Sequence, residues 1–278
     1  MHPNFPLFNT LLYVPANKPR MLEKARDLPC SAVIFDLEDA VAPNEKSSAR
    51  ESLRTFLKQP FNKPYFVRIN SLGTEQYDSD IRSLVHIDPL GIILPKASSE
   101  AVFVTSSALD SLQESTKSVR ILPLIESALA IETLLPLLDA SPRVIGAQFG
   151  AEDLTVDLGT QRTARGEEIN YARHRVVYGC RAKGLPAYDT PFLDFQNEDG
   201  LAFDCRSAKS IGFSGKTCIH PSQIELINQT FTPTDGEIAE AHEIVAAAEQ
   251  ASGGAFALHG KMIDGPVVDR ARHILAQQ

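Results

Sequence analysis

The chain has 278 residues, 43% hydrophobic and 22% charged, with 27 Lys and Arg against 35 Asp and Glu for a formal net charge of −8. That is the make-up of a globular protein, and an acidic balance without a basic block offers nothing to grip a nucleic-acid backbone or an anionic membrane. The length allows two domains or a single α/β barrel, which takes about 250 residues.

The opening stretch MHPNFPLFNTLLYVP is broken by three prolines and has no basic region before an apolar run, so it does not read as a secretory signal. Cysteines at 30, 180, 205 and 218 form neither a CxxC pair nor a disulfide framework, so reduced thiols and a cytoplasmic location are expected. Eight short apolar runs follow in order, at 10–14, 31–36, 65–69, 91–94, 120–125, 143–149, 185–189 and 213–219. Several are almost continuously apolar, the pattern of parallel strands buried on both faces. The segments between them have helix length, and residues 167–183 carry Ile169, Ala172, Val176 and Cys180 on one face ahead of Gly184 and Pro186. Residues 121–140 are the most apolar long stretch, but Pro123, Glu126, Glu132 and Pro136 exclude a membrane span.

Eight such units predict an α/β fold, a (β/α)8 TIM barrel over residues 1–220. A doubly wound open sheet uses the same alternation, but no GxGxxG follows the first run. Residues 221–278 form a C-terminal helical extension, with a helix over 236–250, a hinge-like SGG at 252–254 and a final helix in PVVDRARHIL.

A barrel of this kind gathers its chemistry at the C-terminal ends of the strands. There the runs close on Asp36, Glu38 and Asp39, then Arg68, Lys96, Glu126, Glu152 with Asp153, Asp189 and His220. Glu126 and Asp153 end neighbouring strands and offer hard oxygens suited to Mg2+, whereas no histidine spacing suits zinc. Each acid alone is equally read as a cap or an ion pair. Arg68 presents a fork for a substrate carboxylate, or else a salt bridge to Asp36 or Glu38. Lys96 suits a Schiff base if desolvated, and is otherwise a solvated strand-end lysine. His220 before Pro221 reads as a loop cap, and the long DLGTQRTARGEE loop carries Arg162 and Arg165.

The segments LLYVPANKPRMLEKA, AVIFDLEDAVAPNEKSSAR, VRIN, LPLIES, GAQFGAEDLTVDLGTQRT and GKMIDGPVVDRAR, in that order, resemble the HpcH/HpaI aldolase and citrate lyase β-subunit superfamily, in its CitE-like branch acting on CoA or acyl-carrier thioesters. The resemblance implies a homotrimeric (β/α)8 barrel with Mg2+ held by Glu126 and Asp153, and Glu38 near the metal water. It implies that Arg68 binds the carboxylate of a 2-oxo acid. It further implies that Asp264 acts in catalysis from a C-terminal lid over a neighbouring subunit's barrel, and that Lys18 and Arg20 meet the nucleotide end of CoA. Asn9 and Thr10 stand where the family commonly carries Arg-Ser, and IHP replaces the frequent INP. The implied activity is retro-Claisen cleavage of a 3-hydroxyacyl-CoA, such as citramalyl-CoA or malyl-CoA, to acetyl-CoA and a 2-oxo acid. The alternatives are a malyl- or citramalyl-CoA thioesterase, a citryl-carrier lyase subunit, and a metal-independent Schiff-base aldolase on Lys96. A binding or regulatory protein on the same scaffold would be expected to lack one of Arg68, Glu126, Asp153 or Asp264, and all four are present.

Overall fold

A computed structural model describes residues 6–112, 116, 118–251 and 254–276. It divides into two compact units, 1–228 and 229–278. In the first, eight parallel strands close into a barrel in sequence order: β1 (Thr10–Pro15), β2 (Ala32–Asp36), β3 (Tyr65–Arg68), β4 (Gly91–Leu94), β5 (Arg120–Ile125), β6 (Ala147–Phe149), β7 (Ala187–Asp189) and β8 (Gly215–Cys218). β8 returns to β1 through Leu11 opposite Thr217, which leaves no open edge and rules out the open doubly wound sheet. Seven strands fall within their apolar runs, and β1 extends one residue past its own, to Pro15. β6 is the shortest relative to its run, because Arg143–Gly146 lie outside the ladder and only Val144 bridges to Ile121.

The barrel is filled, not hollow. Phe8, Leu11, Ala32, Ile34, Phe66, Ile93, Leu122, Leu124, Ile145 and Tyr188 form one buried cluster inside it. Outside, the helix Glu167–Ala182 buries Ile169, Ala172, Val176 and Cys180 as its spacing predicts, and Gly184 beyond its end sits at φ +66°. All four cysteines are buried and free. Residues 221–228 stay with the barrel, where Asn228 bonds Thr10 and the Pro29 carbonyl. No helix among the described residues is long and apolar enough to cross a membrane.

The C-terminal unit has a small core of its own. Helix Asp235–Gln250 is opened by a capping box in which Thr234 and Glu237 satisfy each other's backbone N–H. Helix Gly265–Leu275 packs on it through Ala241, Ile244, Val268 and Ala271. A hairpin, Phe256–Leu258 with Lys261–Ile263, joins the two helices, an element that the helical reading of this extension did not include. Of the SGG hinge, residues 252 and 253 lie outside the described residues.

Candidate active site

Strand side chains point the same way every second residue. The interior cluster takes Leu11 from β1, Ala32 and Ile34 from β2, Phe66 from β3, and Leu122 and Leu124 from β5. Two residues further along each strand stand Tyr13, Asp36, Arg68 and Glu126. The alternation that fills the core therefore also delivers an aromatic ring, two carboxylates and a guanidinium to the C-terminal mouth. β6 adds Gln148, bonded to Tyr13, and the chain continues to Gly150, where a Cβ would lie 2.8 Å from that of Glu126 and 3.1 Å from its Oε2. Only glycine leaves the Glu126 carboxylate its space.

Arg68 divides its donors between two tasks. Its Nε donates to Asp36 Oδ1 at 2.8 Å and its Nη2 to Asp36 Oδ2 at 2.6 Å, a bidentate pair. Its Nη1 reaches Glu38 at 3.0 Å and the exposed Asp39 at 3.3 Å. The salt bridges expected as an alternative are thus made, to Asp36 along one edge of the fork and to Glu38 through Nη1. Asp36 also accepts the backbone N–H of Glu38 at 2.9 Å and of Ala40 at 3.2 Å, so it is committed to holding Arg68 and the loop after β2.

Sequence reasoning missed the residues that brace this loop. Lys46 Nζ donates to the carbonyls of Leu37 at 2.8 Å and Glu38 at 2.7 Å. Asn70 Nδ2 donates to the Leu37 carbonyl at 2.9 Å and to Asp80, which Arg50 pairs at 2.8 Å. Asn70 lies two residues beyond Arg68, and strand alternation was the available signal for it. Lys46 gave none, because a lysine on an amphipathic helix ordinarily faces water.

The electrostatics are unbalanced. Burial pushes the Glu38 carboxyl up to about 8; Arg68 opposes this, while Asp39, Glu126 and Asp36 add to it. Burial likewise pushes Glu126 up to about 7, against the Lys96 backbone N–H that donates to it at 2.6 Å, and with the help of the Asp153 charge. With Asp36 spent on Arg68, the oxygens of Glu38, Glu126 and Asp153 carry surplus negative charge, which a proton or a cation neutralises. Hard carboxylate oxygens are the donors Mg2+ prefers. Among the described residues no three or more His, Cys, Asp or Glu side chains are gathered to hold a metal ion.

The remaining candidates fall in different places. Lys18 and Arg20 are exposed just past the C-terminal end of β1. Lys96 is exposed, with φ +48°, and lacks the burial that a Schiff-base lysine requires. Glu152 is 3.6 Å from Arg162, and both line a cavity of about 340 Å³ with Asp153; Arg165 is solvated, 3.9 Å from Glu167. His220 accepts the Ser222 N–H and caps its turn as expected. Asp189 is a correction: it is turned outward from the strand-end group, since its neighbour Tyr188 fills the interior. Asp189 is fully buried against Arg173 at 2.6 Å and Lys216 at 2.6 Å, with Asp204 completing a balanced quartet between sheet and helices. Asp264 belongs to the C-terminal unit, where it caps the last helix by accepting the Val267 N–H at 3.4 Å; it is not among the residues that the barrel strands bring together.

Residues 9–221 match the sequence model of the HpcH/HpaI aldolase/citrate lyase family. The citrate lyase subunit beta of Leuconostoc mesenteroides subsp. cremoris is 36% identical over 97% of this chain and 92% of its own. A (3S)-malyl-CoA thioesterase of Cereibacter sphaeroides strain KD131 is 34% identical over 98% of this chain and 93% of its own. Among solved structures, CitE from Mycobacterium tuberculosis in complex with magnesium, acetoacetate and coenzyme A is 31% identical, with a TM-score of 0.81 over 98% of each chain.

Proposed function

The chain belongs to the HpcH/HpaI aldolase/citrate lyase family, and within it we propose a Mg2+-dependent carbon–carbon lyase that cleaves a 3-hydroxyacyl-CoA to acetyl-CoA and a 2-oxo acid. The observation that carries this reading is the mouth of the barrel, where one arginine edge and a surplus of buried carboxylate oxygens converge. Such a site suits a ligand with a carboxylate at one end and a chelating oxygen beside it. The solved CitE relative, in complex with magnesium, acetoacetate and coenzyme A, supports the same assignment.

Glu126 and Asp153 would hold the ion, and Mg2+ bound there supplies Lewis-acid polarisation of the reacting oxygen and a template for the substrate carboxylate. Arg68 binds that carboxylate through Nη1 while Asp36 keeps the guanidinium fixed. Glu38, in its ionised form, takes the proton of the 3-hydroxyl and can return it in condensation. Asp264 delivers the proton to the thioester α-carbon, acting as a lid residue over the barrel of a neighbouring copy in a homotrimer. Lys18 and Arg20 meet the nucleotide phosphates of CoA. The four buried free thiols suit a cytoplasmic enzyme.

A metal-stripped sample separates this reading from Schiff-base chemistry. Turnover is lost with chelation and restored by Mg2+, and Lys96→Ala keeps it; activity that survives chelation, with borohydride trapping of a 2-oxo acid on Lys96, would reverse the assignment. The (3S)-malyl-CoA thioesterase relative supports hydrolysis of the thioester as the second reading for the same site.

A further inference from the structure

Beside Asp36, Arg68 and Glu126, the last layer of the barrel interior holds one uncharged polar pair. The Gln148 side chain is 1% exposed, and its Nε2 donates to the Tyr13 hydroxyl at 2.7 Å, with Oε1 3.0 Å from the same oxygen. The Tyr13 ring in turn lies under Arg68, whose guanidinium carbon is 4.8 Å from the ring centroid. Neither residue is among those that the proposed reaction uses.

Their geometry matters because, once Nη1 is given over to a substrate carboxylate, Arg68 is otherwise held along one edge. Asp36 bonds Nε and Nη2, which fixes that edge and leaves the plane free to swing about it. Nη1 itself is paired with Glu38 and Asp39. A substrate carboxylate must displace them, and at that moment only the Asp36 edge and the Tyr13 face define where Nη1 points. A ring beneath a guanidinium attracts the cation and also blocks its rotation out of plane. The ring keeps its own angle because its hydroxyl is tied to Gln148, whose buried amide has in Tyr13 the partner it needs.

We propose that Tyr13, locked by Gln148, is the positioning residue for Arg68, and that affinity for the 2-oxo acid, not for the thioester, runs through this pair. The inference rests on the reading of Arg68 as the carboxylate-binding group, but part of its test does not. In ligand-free protein with 15N-labelled arginine, the Arg68 Nε–H, bonded to Asp36, is protected from exchange. In Tyr13→Leu it exchanges about tenfold faster, the size expected for loss of a desolvated cation–π contact, while the Arg173 Nε–H in its separate cluster is unchanged. In the condensation direction the same variant raises the KM for pyruvate or glyoxylate by about tenfold and leaves that for acetyl-CoA within about twofold.

Tyr13→Phe keeps the ring but strands the buried amide, and raises the 2-oxo acid KM by less. Adding Gln148→Leu to Tyr13→Phe removes the stranded amide and brings KM back toward the wild-type value, a recovery that holds the test open if the leucine variant fails to fold. An unchanged Arg68 exchange rate in Tyr13→Leu, or KM values for both substrates rising together, would overturn the proposal. A wild-type protein that joins no 2-oxo acid to acetyl-CoA, while Arg68 still loses protection in Tyr13→Leu, would refute the assigned reaction and leave the positioning role standing.

Discussion

Replacing a proposed metal ligand should make the metal-free protein more stable, not less. Burial pushes the Glu126 carboxyl from its ordinary 4.5 up to about 7. Between those values the folded chain keeps a proton that the unfolded chain has released, so stability falls as pH rises through the window. By pH 8 the charged carboxylate costs on the order of 3 kcal/mol, an upper figure because Glu38 is coupled to it. Glu126→Gln carries no such charge, and its Oε1 still accepts the Lys96 N–H. Without metal at pH 8 the variant should therefore melt roughly 5 to 10 °C above wild type, and the two should converge near pH 5. With Mg2+ at about a hundredfold over its dissociation constant, wild type should recover about 3 kcal/mol and the variant nothing. Differential scanning calorimetry from pH 5 to 8, with and without Mg2+, reads both effects. Asp189 does not interfere: Lys216 and Arg173 outweigh its burial and hold it well below the usual carboxylate range, so its contribution is lost only below about pH 4. A metal-free wild type whose melting temperature is level or rising from pH 5 to 8, or a variant less stable than wild type at pH 8, would refute the reasoning.

Three other perturbations separate structural from chemical roles. Asp264→Asn preserves the helix cap and should leave stability unchanged while lowering turnover by about 10²- to 10⁴-fold, whereas Asp264→Ala should lose about 1 kcal/mol of stability as well, by chemical denaturation. Lys216→Met leaves Asp189 and Asp204 against Arg173 alone and should destabilise the barrel by about 3–5 kcal/mol in the same measurement. Gly150→Ala places a methyl 2.8 Å from the Glu126 Cβ, and calorimetric titration should show Mg2+ affinity falling by at least about tenfold.

The strands were legible because parallel barrel strands are buried on both faces and read as apolar runs. The same regularity placed Arg68 and Glu126 at the C-terminal ends of their strands. It misplaced Asp189, since a three-residue strand offers too little alternation to tell an inward acid from an outward one. Lys216 escaped notice for a related reason: a lysine inside an apolar run looks like the end of a strand, and only Asp189 on β7 and Asp204 on helix Glu198–Ile211 make its burial tolerable. Alternation places Tyr13 at the mouth, but its pairing with Gln148 gave no signal, because an aromatic and an amide meet only when the closing barrel brings β1 and β6 to one interior. The arginine's double use is likewise a property of geometry, as the chain offers several acids and only distances assign its edges.

The central claim is the bond that breaks. Purified protein with Mg2+ is incubated with citramalyl-CoA, malyl-CoA and citryl-CoA in turn, and the products are identified by mass. The account predicts acetyl-CoA together with the matching 2-oxo acid from at least one of them; free CoA with an intact hydroxy acid, and no acetyl-CoA from any, would contradict it.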